Sequence, residues 1–247
     1  MDTTPRTALV TGSTRGLGRA VATSLADRGD HVVITGRRQA DVDRVVGELT
    51  AEGHRASGLV LDVASPASVA CAADEVRERW GQLDVLVNNA GILPEATAEP
   101  AELTAPAVLE HTFRTNVFGA AAVLEAFVPL VRRSDAGRIV NVSSTMGSLA
   151  DQEDPASPYF ATGVPAYRAS KAALNSLTIS LAKLLRDTPV VVTSVCPGFV
   201  RTDLTPISGD QATLDADEAA EVVVRAASWP DGTPSGTFVD AAGPVAW

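Results

Sequence analysis

Thr7-Ala8-Leu9-Val10-Thr11-Gly12-Ser13-Thr14-Arg15-Gly16-Leu17-Gly18 leads from a short apolar run into a glycine-rich loop and then into a helical pattern. Leu17, Ala20, Val21, Ser24 and Leu25 recur on one face of a helix that reaches Arg28 and stops at Gly29. Glycines in such a loop let the backbone turn tightly and approach a pyrophosphate, and the helix N-terminus adds free N–H groups and a favourable dipole. The spacing, Gly-x3-Gly-x-Gly, departs from the common Gly-x-Gly-x-x-Gly. A glycine-rich loop by itself is a weak signal, but between a strand and a helix it favours nucleotide binding over a bare structural turn. Gly12, Ser13, Thr14, Arg15, Gly16, Leu17 and Gly18 are the candidate contacts.

Outward from this loop the chain alternates. Strands are predicted at His31–Thr35, Ala56–Leu61, Leu83–Val87, Arg138–Val142, Val190–Val195 and Gly236–Val239. Between them come helices over Ala40–Glu52, Ser65–Trp80, Ala105–Leu130 (one long helix or two joined), Pro165–Leu185 and Asp215–Ala227. Strands rich in Val, Ile and Leu without polar alternation indicate burial on both faces, as in a parallel sheet between helix layers. The expected architecture is α/β: a single doubly wound Rossmann-type domain over residues 1–247, with a seven-stranded mostly parallel sheet. Three irregular stretches, Gly91–Thr104, Thr145–Val164 and Pro197–Thr213, follow C-terminal strand ends, where open α/β sheets bind ligands.

Composition narrows the partners. Of 247 residues 45% are hydrophobic and 20% charged, a globular balance, and the formal net charge is −10. That charge argues against nucleic acid or an anionic membrane as the main partner. Cys71 and Cys196 form no disulfide framework, and His31, His54 and His111 show no paired metal-ligand spacing, so no metal site is expected. The start, Met1-Asp2-Thr3-Thr4-Pro5-Arg6, lacks a basic stretch followed by an apolar run, and no stretch approaches ~20 uninterrupted apolar residues. A cytoplasmic protein with a small-molecule ligand is the expectation.

The second strand ends in Thr35-Gly36-Arg37-Arg38, where many NAD-binding sheets carry an acid for the ribose 2′-hydroxyl. Arg15 in the loop and Arg37 are placed to converge on one spot, and a guanidinium pair suits a 2′-phosphate. NADP(H) is therefore expected over NAD, with Arg38 a lesser contributor; the competing reading is solvated surface arginines.

Tyr167 and Lys171, four apart in Ala166-Tyr167-Arg168-Ala169-Ser170-Lys171, share one helix face, and Ser144 precedes them in Asn141-Val142-Ser143-Ser144. An ammonium near a phenol favours the phenolate, and a hydroxyl from another segment can hold a carbonyl oxygen beside it. Taken alone, Tyr-x-x-x-Lys also arises by chance in helices.

With these pieces together the chain resembles the short-chain dehydrogenase/reductases over essentially its full length. The resemblance rests on Thr11–Gly18, Leu61-Asp62-Val63, Asn88-Asn89-Ala90-Gly91, Asn116, Ser144, Tyr167, Lys171 and Pro197-Gly198, in family order. It implies a catalytic set of Asn116, Ser144, Tyr167 and Lys171, with Tyr167 and Lys171 also contacting the cofactor, Lys171 at the nicotinamide ribose hydroxyls. It implies that Asp62 and Val63 lie at the adenine, Asn89, Ala90 and Gly91 beneath the cofactor, and Pro197, Gly198, Val200 and Thr202 near the nicotinamide. Asn89 has a second reading, as a brace between strands. In the family the counterpart of Asn116 opens its helix locally and holds a water beside the lysine. Cys196 reads as a small buried residue.

The stretch between Ser144 and Tyr167 carries an acidic, proline-containing insert, Asp151–Phe160, which resembles the carbonyl-reductase-like branch. Long inserts there can cover a helix face that other members use for oligomerisation, so a homo-oligomer and a monomer both stay open. Tyr159 and Phe160 either line the substrate mouth or pack the insert down. The segment Leu204–Thr213, with Gly209 as a hinge, reads as a variable lid.

The resulting expectation is NADPH-dependent reduction of a ketone or aldehyde with Tyr167 as general acid. An NADP⁺-dependent alcohol dehydrogenase and a non-catalytic nucleotide sensor are the alternatives. Substrate identity is not written in these residues.

Overall fold

The computed structural model describes residues 5–99, 101–204 and 212–247. Seven strands are β1 (Thr7–Val10), β2 (His31–Gly36), β3 (Ala56–Val60), β4 (Val85–Asn88), β5 (Arg138–Val142), β6 (Val191–Val195) and β7 (Thr237–Val239). They form one sheet in the order β3-β2-β1-β4-β5-β6-β7, and every pairing is parallel. The expected "mostly parallel" sheet is thus parallel throughout. The order reverses between β1 and β4, so the crevice for a ligand opens at their C-terminal ends.

The helices are α1 (Gly16–Asp27), α2 (Gln39–Ala51), α3 (Pro66–Trp80), α4 (Pro106–Phe113), α5 (Ala120–Val131), α6 (Leu149–Glu153), α7 (Pro165–Leu184) and α8 (Ala216–Ala227). Side chains alternate across each strand and so feed two cores. Ala8, Val10, Val32, Ile34, Val85 and Val87 pack beneath α1, α2 and α8. Leu9, Val33, Leu59, Leu86 and Ile139 meet α3, α5 and the end of α7 on the other face. Each fully buried aliphatic side chain contributes roughly 1.5–3 kcal/mol, and a sheet buried on both faces collects that term twice per strand.

The predicted Ala105–Leu130 helix is two helices, α4 and α5, joined by a π-helical stretch, Arg114–Gly119. The whole span Pro106–Val131 is long and apolar enough to cross a membrane by length and composition, but half of its most apolar window is buried within the domain. The first two irregular stretches acquire local order. Pro94–Thr97 forms a 3-10 turn, and Ser148 caps α6 by accepting the Asp151 amide at 3.0 Å. Of the expected lid, residues 205–211, including Gly209, lie outside the described residues.

Candidate active site

All the singled-out residues fall at the C-terminal edge of the sheet. The glycine loop follows β1, Arg37 and Arg38 follow β2, and Asp62 and Val63 follow β3. Asn89–Gly91 follow β4, Ser144 follows β5, Pro197–Thr202 follow β6, and Tyr167 and Lys171 lie in the first turns of α7.

The loop is built from contacts within itself and with β2 and β4. Gly12 adopts a positive φ of 67°. At Gly18 an added Cβ would collide with the Asn89 side chain and the Gly12 carbonyl, so only glycine lets α1 start this close to β4. Asn89 donates from Nδ2 to the Thr11 carbonyl at 2.9 Å, and the Asn89 and Ala90 amides both donate to Thr11 Oγ1 at 2.9 Å. The bracing reading of Asn89 therefore accounts for its side chain. Ser13 departs from expectation: its buried hydroxyl donates to the Val10 carbonyl and accepts the Thr35 amide, and its own amide donates to the Thr35 carbonyl. Those groups secure the loop and are not free for a ligand.

The start of α1 has no side-chain cap and no acid in its first turn. Orphan N–H groups at a helix start attract anions, so this terminus fits a pyrophosphate. The contrast with α8 is direct, since Asp215 and Glu218 close a capping box there.

Arg15 and Arg37 do not share a partner. The Arg15 guanidinium faces Asp203 at 3.4 Å, while Thr202 lies against Gly16. Arg38 pairs with Asp41 at 3.6 Å. Arg37 is exposed and makes no ion pair among the described residues. Asp62 uses Oδ1 to accept the Ala64 amide at 3.0 Å, closing its own turn, and Val63 is buried with its carbonyl close against Gly119. Val200 forms an isolated bridge with Leu214 that holds the strand exit near Pro197 and Gly198.

The catalytic candidates gather between β4, β5 and α7. Asn116 lies within the π-helical stretch and is buried, so the helix opens locally at Asn116, as the family resemblance implied. Its side chain accepts the Ile92 amide at 2.8 Å and donates to the Ile92 carbonyl at 2.9 Å and to Ser170 Oγ at 3.1 Å. Gly91 bridges the set: an added Cβ would lie 3.5 Å from Asn116 Oδ1 and 3.7 Å from Lys171 Nζ. Ser144 caps the turn after β5, accepting the Met146 amide at 3.2 Å.

The electrostatics correct one expectation. Lys171 does not pull the Tyr167 phenol down; burial pushes that phenol well above its ordinary range, with the Cys196 thiol adding to the rise and the Ser144 hydroxyl offsetting part of it. Lys171 is itself buried, and loss of water pulls its ammonium down to about 8. Its Nζ donates to the Val142 carbonyl at 2.8 Å and stands 5.5 Å from the centroid of the Tyr167 ring. Two buried groups each favour their neutral form, because burial penalises the charged one.

The insert packs down on α7. Buried Arg168 donates to the Tyr159 carbonyl, the Ala150 amide donates to the Trp247 carbonyl at 3.1 Å, and Gln152 reaches the Met146 carbonyl at 3.0 Å. Phe160 is exposed, whereas Tyr159 is half-buried and its phenol, raised mainly by burial, also senses Cys196. Cys196 is buried, as its sequence reading had it.

Residues 6–212 match the family model described as short chain dehydrogenase. The chain belongs to the short chain dehydrogenase family. Among relatives of the family it is 36% identical over 236 residues to a short-chain dehydrogenase of Penicillium roqueforti, covering 93% of this chain and 90% of that one. It is 34% identical over 295 residues to the (+)-neomenthol dehydrogenase of Arabidopsis thaliana, covering 96% of each. Among solved structures, the NADPH-bound carbonyl reductase from chicken fatty liver superposes with a TM-score of 0.84 at 27% identity, covering 98% of this chain and 94% of that one.

Three residues in contact with the candidate site escaped the sequence reading. At Gly147 an added Cβ would stand 2.6 Å from the Lys171 Cβ and 2.7 Å from its carbonyl carbon, so the turn after Ser144 can rest directly on α7. Arg44 ties the loop to α2, donating to the Thr14 carbonyl at 3.3 Å. Glu95, in the 3-10 turn after β4, accepts the amides of Ala166 at 3.0 Å and Tyr167 at 2.8 Å. No local pattern marks any of them, because each acts on a segment distant in sequence.

Proposed function

We infer that this chain is an NADP(H)-dependent oxidoreductase that reduces a ketone or aldehyde to an alcohol, with Tyr167 as the general acid. The observation that carries the reading is the gathering of Ser144, Tyr167, Lys171 and Asn116 beside the crevice between β1 and β4. The uncapped start of α1 and Arg37, which makes no ion pair among the described residues, support a phosphorylated dinucleotide, as does the likeness to a carbonyl reductase bound to NADPH. Gly12 and Thr14–Gly18 would hold the pyrophosphate, Arg37 the 2′-phosphate, Asp62 and Val63 the adenine, and Lys171 the nicotinamide ribose. When bound, the cofactor supplies the hydride.

The chain's own groups handle the oxygen of the substrate. Ser144 hydrogen-bonds it and orients it, and Tyr167 delivers its phenolic proton to it. A phenol pushed upward by burial stays protonated at neutral pH, which is the form that reduction consumes; alcohol oxidation would start from the phenolate. Asn116 holds the β4 exit against α7, next to Lys171, where re-protonation of the site would be relayed.

The test is a screen of NADPH oxidation against aldehydes, α-keto esters, cyclic ketones and quinones, with NADH in parallel. Tyr167→Phe is expected to lose nearly all turnover while binding NADPH as the parent does by fluorescence. Retention of most activity in that variant would refute the assignment.

A further inference from the structure

The helix that carries Tyr167 and Lys171 begins without a cap of its own. Its N-cap residue is Val164, whose side chain has no acceptor, and Pro165 follows at the first helical position. Proline removes one orphan N–H, but the amides of Ala166 and Tyr167 still need acceptors. These are the donors that an Asp or Ser at the N-cap normally satisfies. Here the Glu95 carboxylate takes both, one oxygen on each, from a loop 71 and 72 positions earlier in the chain. Glu95 is also the acid in the 3-10 turn Pro94–Thr97, on the stretch that leaves β4 beside Gly91.

We propose that Glu95 is a positioning residue for the reaction: its carboxylate caps the catalytic helix from a distance and thereby sets the main chain of Tyr167. The cap acts on the same residue whose phenol meets the substrate. It is also carried by the loop whose start, Ile92, is held by the Asn116 side chain. The position of that loop and the aim of the phenol are therefore linked through two hydrogen bonds. A carboxylate also suits this place electrostatically, since the helix dipole favours negative charge at an N-terminus.

The inference rests on the reading of Tyr167 as general acid, so the experiment carries a control for that reading. Parent, Tyr167→Phe, Glu95→Ala and the double variant Glu95→Ala/Val164→Asp are assayed with NADPH and the most active carbonyl compound of the screen. NADPH affinity is measured separately by fluorescence. Glu95→Ala is expected to lower kcat about tenfold to a hundredfold, the scale of a small misplacement of a reacting group. NADPH affinity should stay within about twofold of the parent, since the cap bonds only the main-chain amides of Ala166 and Tyr167 and no side chain read as holding the cofactor. An Asp at position 164 supplies the missing acceptor from within the helix, and it should restore most of the lost kcat. Amide exchange at Ala166 and Tyr167 should quicken in Glu95→Ala and slow again in the double variant.

A kcat near the parent's in Glu95→Ala, with Tyr167→Phe inactive, would overturn the positioning role and leave the general acid standing. A loss of kcat accompanied by an equal loss of NADPH affinity, and not restored by Val164→Asp, would mark Glu95 as a structural brace and also overturn the role. An active Tyr167→Phe would remove the general acid and with it any catalytic meaning of the cap. The exchange data would still report whether Glu95 caps the helix.

Discussion

Lys171 donates its ammonium to the main-chain carbonyl of Val142 at 2.8 Å, inside the protein and within reach of the Tyr167 ring. One hydrogen bond does not replace the water that a cation loses on burial, so the group sits at about 8 in the fold against an ordinary value of 10.5. The stability of the cofactor-free protein should reflect this. Between about pH 8 and 10 the unfolded chain keeps a proton on this lysine that the folded chain has lost. Stability should therefore rise with pH by up to roughly 1.4 kcal/mol per unit. Above about pH 10 the raised Tyr167 phenol opposes the trend, since the unfolded phenol then loses its proton first. Urea unfolding across this range should show the rise in the parent and not in Lys171→Met. Parallel curves for the two proteins would contradict it.

Asn116 and Ile92 form a reciprocal pair, amide to Oδ1 and Nδ2 to carbonyl. Asn116→Ala leaves both main-chain groups of Ile92 without these partners and should cost about 2–3 kcal/mol. A urea midpoint lowered accordingly, together with a fall in kcat, is expected. An unchanged midpoint would show that other groups or water replace the side chain fully.

Gly147 rests on the main chain of α7 at Lys171. Gly147→Ala should cost about 1–3 kcal/mol as an overpacked contact, and the strain falls on the turn that Ser144 caps and on the main chain of Lys171. The expected outcome is a lower Tm and a lower kcat with little change in NADPH affinity. Ala at Gly47, where no atom lies within 4 Å of an added Cβ, is the control and should be tolerated.

Arg37 is free of ion pairs among the described residues, whereas Arg15 faces Asp203 and Arg38 faces Asp41. Arg37→Ala should weaken NADPH binding about tenfold to a hundredfold, the worth of a charge-assisted contact, and leave NADH nearly unchanged. Arg38→Ala should do less. Equal loss for the two nucleotides would refute a 2′-phosphate site at Arg37.

Much of the site was legible because its chemistry is local. The glycine spacing between Thr11 and Gly18 reads directly as a strand-to-helix turn, and Tyr167 and Lys171 share a face because four residues make about one helical turn. Asn116, a poor helix former in a helical stretch, pointed to a special role there, and the family resemblance implied the local opening that the π-helical stretch contains. Ser13 misled because its neighbours in the loop suggest a ligand contact. Its hydroxyl turns inward only because β2 passes beneath, a fact that lies 22 residues away at Thr35. The ion pair of Arg15 was hidden for a similar reason: its partner, Asp203, comes from the exit of β6.

The sequence by itself determined the order of strands and helices and the residue types that reach the C-terminal edge of the sheet. Periodicity, glycine sterics and capping preferences act over a few neighbouring residues, and they are readable wherever they occur. Only the tertiary structure decided what each polar group is free to do. Burial raised Tyr167 and lowered Lys171, a carbonyl of β5 took the lysine's proton donor, and a glutamate from the β4 loop took the amides at the start of α7. Desolvation and hydrogen-bond partnership belong to groups brought together from distant parts of the chain, and no local pattern encodes them.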